Sequence, residues 1–213
     1  MENNERSVNA VLFDYGGVVA EEGFVEGLAA IARKNGIDSD TFIDTAFDLV
    51  HATGYLTGNA PEAVFWRVMR EETGVPGTDD ELAREILSRF VLRPRVLQLA
   101  DELRSMGLIV GILSDQTNWL DRLNERDNFF RHFDRVFNSY HMGLSKRGYA
   151  VFDEAARRLD IPKESICFID DNEGNCVRAR EKGLKVIHYS NGKDMLRELA
   201  RHVPGLDPSS LGF

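Results

Sequence analysis

Several polar and charged residues follow apolar runs of the chain, at the points where buried strands would end. They are Asp14, Ser114, Asp115, Asp170 and Asp171, and Lys146 adds a cation on a later loop. The carboxyl ends of parallel strands meet at one edge of a sheet, where ligands bind, so we expect these side chains to converge. Carboxylates, a hydroxyl and a lysine at one edge supply a nucleophile, a site for a hard cation and donors for phosphoryl oxygens. This combination indicates phosphoryl transfer through a carboxylate.

The strands that must position these residues are visible as short apolar runs. Residues 8–13, 108–113, 165–169 and 185–189, with a weaker run at 135–138, predict strands buried on both faces, as in a parallel sheet. Helical patterns lie between the runs, and one of them begins at Pro94. The alternation predicts an α/β fold with a doubly wound, Rossmann-like parallel sheet.

Residues 21–93 interrupt this alternation. They contain helical apolar faces only, separated by turn signals at Asn35-Gly36, 58–61 and Pro76-Gly77. We therefore predict an inserted α-helical cap subdomain of about four helices at 21–93, and an α/β core domain made of 1–20 and 94–213. The tails, residues 1–7 and 203–213, are predicted to be weakly ordered.

Composition narrows the function further. The 213 residues carry 26 basic and 35 acidic side chains, a net charge of −9, which argues against nucleic acid as a partner. No apolar run is long enough to span a membrane, and no signal-peptide core is present, so we expect a cytoplasmic protein. Cys167 and Cys176 lack metal or redox spacing and are expected to be reduced thiols.

Each candidate residue also has a purely structural interpretation. An aspartate after a strand often forms a turn or caps a helix, Gly16-Gly17 alone is a tight turn, and Lys146 alone is a solvated charge. Adjacent carboxylates such as Asp170-Asp171 repel each other, however, and burying them is costly without a cation. The joint placement of these residues on successive strand ends favours the functional interpretation.

Four segments, in order, resemble the motifs of the haloacid dehalogenase superfamily of phosphatases and related hydrolases. The segments are the apolar strand ending in Asp14-Tyr15-Gly16-Gly17, then Ile112-Leu113-Ser114, then Gly143-Leu144-Ser145-Lys146, and finally Asp170-Asp171 with Asn175. The resemblance covers about residues 8–190. The inserted helices match the helical cap that follows the first motif in this family, and the branch resembled is that of bacterial sugar-1-phosphatases.

The resemblance implies a role for each residue. Asp14 would attack phosphorus and form an aspartyl-phosphate. Mg²⁺ would be held by Asp14, Asp171, the backbone carbonyl of Gly16 and, directly or through water, Asp170. Ser114, Lys146, Asp115 and the backbone N–H groups near Gly16 and Gly17 would bind the phosphorylated substrate, with Ser114 and Lys146 also assisting catalysis. Asn175 would steady the acidic loop.

The chain departs from the family pattern at two positions. The family usually carries a second aspartate, a general acid and base, where this chain has Gly16. Loss of that acid predicts a preference for good leaving groups, such as anomeric or acyl phosphates, unless an acid from the cap or Asp115 replaces it. Arg147-Gly148 stands where proline is usual and adds a positive charge at the rim. Weaker candidates for the cleft between cap and core are Glu21, Glu22, Tyr55 and Trp119, while the five histidines are expected to be surface or core residues.

The leading hypothesis is a Mg²⁺-dependent phosphatase that acts on a small phosphorylated metabolite, specifically a sugar phosphate. One alternative is a dehalogenase, in which Asp14 attacks carbon; the acidic pair disfavours it, because halide departure needs no metal site. Another is a non-catalytic phosphate-binding or regulatory module, and a mutase is disfavoured by the missing acid and base. We expect a monomer or homodimer that binds neither nucleic acid nor membrane.

Overall fold

The fold is built on a parallel five-stranded sheet. The computed structural model describes residues 8–209 and 211–213, so the prediction for the tail 1–7 lies outside the described residues. The strands are β1 (Ala10–Phe13), β2 (Ile109–Ser114), β3 (Arg135–Asn138), β4 (Ile166–Asp170) and β5 (Lys185–His188). Their order is β3-β2-β1-β4-β5, and every pairing is parallel. The predicted doubly wound α/β sheet is confirmed.

Helices cover both faces of the sheet and form the inserted segment. Their bounds are α1 (Gly23–Asn35), α2 (Ser39–Ala52), α3 (Glu62–Thr73), α4 (Asp79–Leu87), α5 (Pro94–Ser105), α6 (Trp119–Asp127), α7 (Ser139–Met142), α8 (Ala150–Leu159), α9 (Glu173–Glu181) and α10 (Gly192–Leu199). Short 3₁₀ turns lie at Tyr55–Thr57, Phe129–His132 and Lys163–Ser165. None of the helices in the described part of the chain is long and apolar enough to cross a membrane.

The central strand β1 fixes the register of the functional edge. All four of its residues are buried, and alternate side chains enter two apolar clusters: Val11 and Phe13 one, Ala10 and Leu12 the other. Phe13 lies opposite Ile112 of β2 and Ile169 of β4. Because the three strands end at the same level, the residues after them meet at one edge of the sheet.

Helices α1–α4 lie between β1 and α5, as predicted for the cap. The chain leaves the core at Ala20 and returns at Leu92, and these two residues form an isolated antiparallel bridge. The side chain of Asp38 caps α2, and Thr78 with Glu81 forms a capping box on α4. The domain boundaries at 20 and 93 remain a prediction.

An aromatic cluster joins the inserted helices to the core. The ring of Trp119 in α6 lies 6.0 Å from that of Trp66 in α3 and 5.9 Å from that of Tyr55. The Tyr55 hydroxyl donates to Asn118 Oδ1 at 2.5 Å. Large buried aromatic side chains contribute both apolar area and specific geometry, so this cluster stabilises the orientation of the cap on the sheet.

The predicted weak order of the C-terminal tail is wrong for its first residues. Val203 and Leu206 are buried and belong to the larger apolar cluster. Further along, Arg95 Nη1 donates to the backbone oxygen of Leu211 at 2.5 Å. Burial of these two apolar side chains offsets the conformational entropy that is lost when this part of the tail becomes ordered.

Gly27 permits the close approach of α1 and α4, and we predict that Gly27→Ala destabilises the protein. An ideal Cβ on Gly27 would lie 2.5 Å from the Cα of Ile86, a backbone atom that no rotamer change can move. Helix propensity alone would favour Ala by about 1 kcal/mol. Overpacking costs about 1–3 kcal/mol, so the net free energy of unfolding should fall.

Urea denaturation followed by circular dichroism measures this change. Ala30→Gly, in the half-buried part of the same helix, is the matched control and should show only the propensity effect. A Gly27→Ala protein more stable than the parent would contradict the proposed close contact.

Candidate active site

The residues predicted from the sequence meet at the carboxyl edge of the sheet. Asp14 follows β1 directly, Ser114 ends β2, and Asp170 ends β4 with Asp171 next to it. Four of these residues line one cavity: Asp14, Ser114, Lys146 and Asp171. Asp170 is fully buried and contacts Lys146. The parallel register explains this convergence, as expected from the spacing of the strands.

Lys146 is the electrostatic centre of the site. Its Nζ lies 2.8 Å from Asp14 Oδ2 and 2.7 Å from Asp170 Oδ2, and its side chain is 1% exposed. Burial lowers the pKa of a lysine, but the two carboxylates outweigh that effect, and the pKa of Lys146 is raised. The ammonium therefore stays charged although its side chain is buried.

The loop that carries Lys146 is fixed from both sides through its backbone. The Lys146 amide donates to the Asp115 carboxylate at 2.8 and 3.1 Å, and Arg178 Nε donates to the Lys146 carbonyl at 2.6 Å. The hydroxyl of Ser139 also donates to Asp115 Oδ1, at 2.6 Å. Asp115, predicted to bind substrate, lines the cavity, but its carboxylate is occupied in positioning this loop.

Three carboxylates form a cluster suited to a metal ion. Asp14, Asp170 and Asp171 each offer one oxygen, and these oxygens lie within 4.8 Å of one another. Burial raises the pKa of Asp14, Lys146 opposes this, and Asp170 raises it further. Burial and Asp170 also raise the pKa of Asp171. One ammonium cannot neutralise three carboxylates, so a divalent cation with a preference for oxygen ligands fits this donor set.

The acidic loop after β4 is held by a network around Asp170. Its Oδ1 accepts from the Asn172 amide at 2.7 Å, and Asn175 Nδ2 donates to both carboxylate oxygens at 3.2 and 3.1 Å. The side chain of Asp170 is fully buried. Asn175 thus has the contacts expected of a residue that steadies this loop.

The turn after Asp14 requires glycine at position 17. Gly17 has φ of 78°, and an ideal Cβ there would lie 2.1 Å from Asp171 Oδ2. The Arg93 guanidinium donates to the Gly17 carbonyl, and the Tyr15 amide donates to Asp14 Oδ1 at 2.7 Å. The Tyr15 ring stacks on Phe129 at 4.8 Å, which anchors the turn in the core. The turn therefore orients Asp14 and leaves room for Asp171.

The inserted helices provide the opposite wall of the cavity, which has a volume of about 390 Å³. Apolar side chains dominate that wall: Phe24, Val25, Phe47, Val50 and Leu56. Trp119, in α6 of the core, also lines the cavity. His51 also lines the cavity, although no spacing in the sequence separates it from the other histidines. Burial lowers the pKa of its imidazole. Of the weaker sequence candidates, Glu22 and Trp119 line the cavity. Glu21 pairs with Arg93 at 2.7 Å on the surface, and Tyr55 is buried.

Glu22 lies close to the turn that follows Asp14. It is the N-cap of α1 and half-buried, and an ideal Cβ on Gly16 would lie 2.8 Å from its Oε2. Burial raises the pKa of the Glu22 carboxyl. The sequence signal for this contact was weak, because only the fold shows that the chain turns back beside Gly16 after Ala20.

A parallel α/β sheet with this cluster of carboxylates and lysine, covered by inserted helices, defines a class of hydrolases. A family model for haloacid dehalogenase-like hydrolases matches residues 8–179. The chain belongs to that family. The resemblance found in the sequence is confirmed, as is the prediction that the protein is a hydrolase.

Two relatives differ in how much of the chain they match. D-ribitol-5-phosphate phosphatase from Bacteroides thetaiotaomicron is 22% identical over 211 residues, covering 90% of this chain and 97% of that protein. Drimenol cyclase from Aspergillus calidoustus is 31% identical over 67 residues, 32% of this chain, and this chain spans only 13% of the cyclase.

Solved structures share the fold. A HAD family enzyme from Bacteroides thetaiotaomicron superposes with a TM-score of 0.74 at 23% identity, covering 91% of this chain and 98% of that one. The structure of the same enzyme with magnesium and inorganic phosphate gives 0.69 at 23% identity, covering 87% and 96%. L-2-haloacid dehalogenase from Xanthobacter autotrophicus gives 0.62 at 19% identity, covering 94% and 85%. At these identities the likeness concerns the fold alone.

Because Lys146 is paired with two buried carboxylates, we predict that Lys146→Met destabilises the protein. The change leaves Asp14 and Asp170 buried beside an apolar group, and breaking a buried pair costs about 3–5 kcal/mol. Urea denaturation in the presence of a chelator measures the loss, since an added cation would compensate for the missing ammonium.

Lys182→Met is the matched control for the loss of a lysine. Lys182 pairs with Asp153 on the surface, where its side chain is 28% exposed. Exposed pairs contribute less than about 1 kcal/mol. Equal stability losses for the two variants would show that Lys146 does not hold the cluster together.

Proposed function

We propose that the protein is a Mg²⁺-dependent phosphatase that acts on a small phosphorylated metabolite through an aspartyl-phosphate on Asp14. One observation carries the proposal: the Asp14 carboxylate is held by the buried Lys146 in a cluster with Asp170 and Asp171. A nucleophile, a fixed cation and a site for a hard metal ion within a few ångströms are what phosphoryl transfer requires.

Asp14 is the proposed nucleophile. One of its oxygens, Oδ1, is oriented by the Tyr15 amide, and Oδ2 contacts Lys146. A carboxylate fixed at both oxygens loses little freedom when it attacks, which favours a productive approach to phosphorus. Lys146 also reduces the repulsion between this carboxylate and the incoming phosphate.

The phosphoryl oxygens are bound, in this proposal, by Ser114, Lys146 and the backbone N–H groups near Gly16 and Gly17. Ser114 is 2% exposed and lines the cavity beside Asp14 and Gly16. Fixed donors in a site that excludes water stabilise the charge that develops on those oxygens.

The proposed metal ligands are Asp14, Asp171 and the backbone carbonyl of Gly16, with Asp170 binding directly or through water. The fit rests on the oxygen donors within 4.8 Å and on the uncompensated negative charge of the cluster. When bound, Mg²⁺ supplies positive charge that polarises the phosphoryl group. Lys146 and Asn175 hold Asp170 in place through direct contacts with its carboxylate.

A sugar phosphate is the substrate that the sequence predicted. The relative named D-ribitol-5-phosphate phosphatase, which aligns over 90% of this chain, supports a phosphorylated polyol or sugar. A cavity of about 390 Å³ is large enough for a small metabolite of that kind.

The dehalogenase alternative is less well supported by the site. Attack on carbon with loss of halide needs no acidic metal cluster, yet Asp170 and Asp171 accompany Asp14 here. A non-catalytic phosphate-binding module is also disfavoured, because such a module needs no carboxylate oriented at both oxygens. Halide release that resists a chelator would favour the dehalogenase.

We predict that Asp14→Asn abolishes phosphatase activity without unfolding the protein. Lys146 keeps its contact with Asp170 in this variant, so the cluster remains paired. Loss of the nucleophile should lower kcat by about 10³-fold or more, as for other covalent catalysts. Hydrolysis of 4-nitrophenyl phosphate with Mg²⁺ measures the effect.

Asp194→Asn is the control for this substitution, because Asp194 lies on the surface in α10. It should retain full activity. An Asp14→Asn protein that matched the parent would exclude Asp14 as the nucleophile.

Gly17→Ala should weaken Mg²⁺ binding, because the added methyl group would overlap the Asp171 carboxylate. Displacement of one ligand is expected to cost about 10–100-fold in affinity. The increase in melting temperature with Mg²⁺ concentration reports binding independently of turnover.

Gly36→Ala controls for backbone strain in this experiment. Gly36 also has a positive φ, 66°, but a Cβ there would meet nothing within 4 Å. It should be destabilised like Gly17→Ala while keeping the response to Mg²⁺. Equal Mg²⁺ responses in both variants would argue against Asp171 as a ligand.

A further inference from the structure

Breaking a phosphate ester leaves a negative oxygen on the alcohol, which must be protonated. The cavity places several titratable groups near Asp14, but most have other partners. Lys146 lies between two carboxylates, and Asp115 accepts from Ser139 and from the Lys146 amide. A group on the cavity wall without such partners is therefore the best candidate to supply this proton.

We propose that Glu22 donates this proton and is a catalytic residue of the reaction. The inference rests on the proposed phosphatase function. Glu22 lines the same cavity as Asp14 and directs Oε2 toward Gly16, two residues after the nucleophile. Its capping contact uses the other oxygen, Oε1, and is long, at 3.4 Å from the Val25 amide. Oε2 is thus oriented toward the reacting end of the cavity.

The absence of a side chain at Gly16 makes room for this carboxyl. An ideal Cβ on Gly16 would lie 2.8 Å from Glu22 Oε2 and 3.5 Å from the Phe90 ring. Any side chain at position 16 would therefore compete with Glu22 for the same space. The two positions are sterically linked: glycine at 16 permits a carboxyl that reaches in from α1.

His51 is the other titratable group on the cap wall, and its surroundings differ. The charges that influence the His51 imidazole are those of Arg147, Asp115 and Asp48. Those that influence the Glu22 carboxyl are Asp171 and Lys146, members of the reacting cluster. The geometry agrees: Glu22 Oε2 is the atom nearest to a Cβ on Gly16, so this carboxyl lies at the end of the cavity that holds Asp14.

The proposed steps balance in protons and bonds. Asp14 attacks phosphorus, the bond from phosphorus to the alcohol oxygen breaks, and that oxygen takes the electron pair together with the Glu22 proton. Water then attacks the aspartyl-phosphate and gives a proton to the Glu22 carboxylate. The bond from phosphorus to Asp14 breaks, which releases phosphate and restores both carboxyl groups.

This assignment revises the expectation that the glycine at position 16 restricts the enzyme to good leaving groups. With an acid supplied by α1, phosphates of ordinary alcohols become substrates as well. The dependence of rate on the leaving group therefore distinguishes an enzyme that uses Glu22 from one that has no acid.

Glu22→Gln tests the proposal, since Gln keeps an oxygen to cap α1 but cannot transfer the proton. The substrates are 4-nitrophenyl, phenyl and ethyl phosphate, in order of increasing need for a proton on the leaving oxygen. We expect kcat/KM to fall by about 100-fold or more for phenyl and ethyl phosphate, and by less than about tenfold for 4-nitrophenyl phosphate. Glu26→Gln, an exposed acid in the first turn of the same helix, should leave all three rates unchanged.

A second pair of variants tests the steric link. Glu22→Ala should lose activity on phenyl phosphate, and adding Gly16→Asp should restore it, because the removed side chain frees the space that a residue at 16 needs. A Glu22→Gln protein that lost all three activities in equal proportion would overturn the role of Glu22 while the phosphatase function stood. A parent enzyme that hydrolysed none of the three phosphates would overturn both.

Discussion

The buried contact between one ammonium and two carboxylates organises the site. Lys146 joins the end of β1, through Asp14, to the end of β4, through Asp170, and it does so where water is excluded. Opposite charges in such surroundings interact strongly, but removing them from water is costly, so the arrangement persists only when each group is satisfied. The third carboxylate, Asp171, leaves the cluster with excess negative charge that a divalent cation can balance.

The location of this cluster was predictable because it follows from strand register. A parallel sheet brings every strand's carboxyl end to one edge, so an apolar run followed by Asp14, Ser114 or Asp170 indicates a site before any contact is known. The role of Asp115 was not predictable in the same way. Its carboxylate turns to the Lys146 amide, a contact between a side chain and a distant backbone group that leaves no periodic signal in the sequence.

The cavity wall formed by the inserted helices was the least predictable part of the site. The sequence indicated four helices, but which of their side chains face Asp14 depends on how α1 docks. That docking uses Gly23 and Gly27, where an added Cβ would lie within 2.5 Å of Phe90 and Ile86. Contacts this close depend on the absence of side chains, and a sequence pattern of apolar residues cannot show which glycines are needed for packing. Phe47 and His51, both in α2, also line the cavity.

The relation between Gly16 and Glu22 gives the cap a chemical part in the proposed reaction. A proton donor on the turn after β1 would stay with the nucleophile whatever the position of the cap. Glu22 instead precedes α1 as its N-cap, so the position of its carboxyl depends on the packing of Gly23 against Phe90, whose ring in turn contacts that of Tyr15 in the core. In the proposed reaction, a cap in this position would cover the cavity and also supply the acid, so protonation of the leaving group would depend on the packing of α1. Because Gly16 has no side chain that could act as the acid, the proposed reaction depends on Glu22 and therefore on the position of the cap.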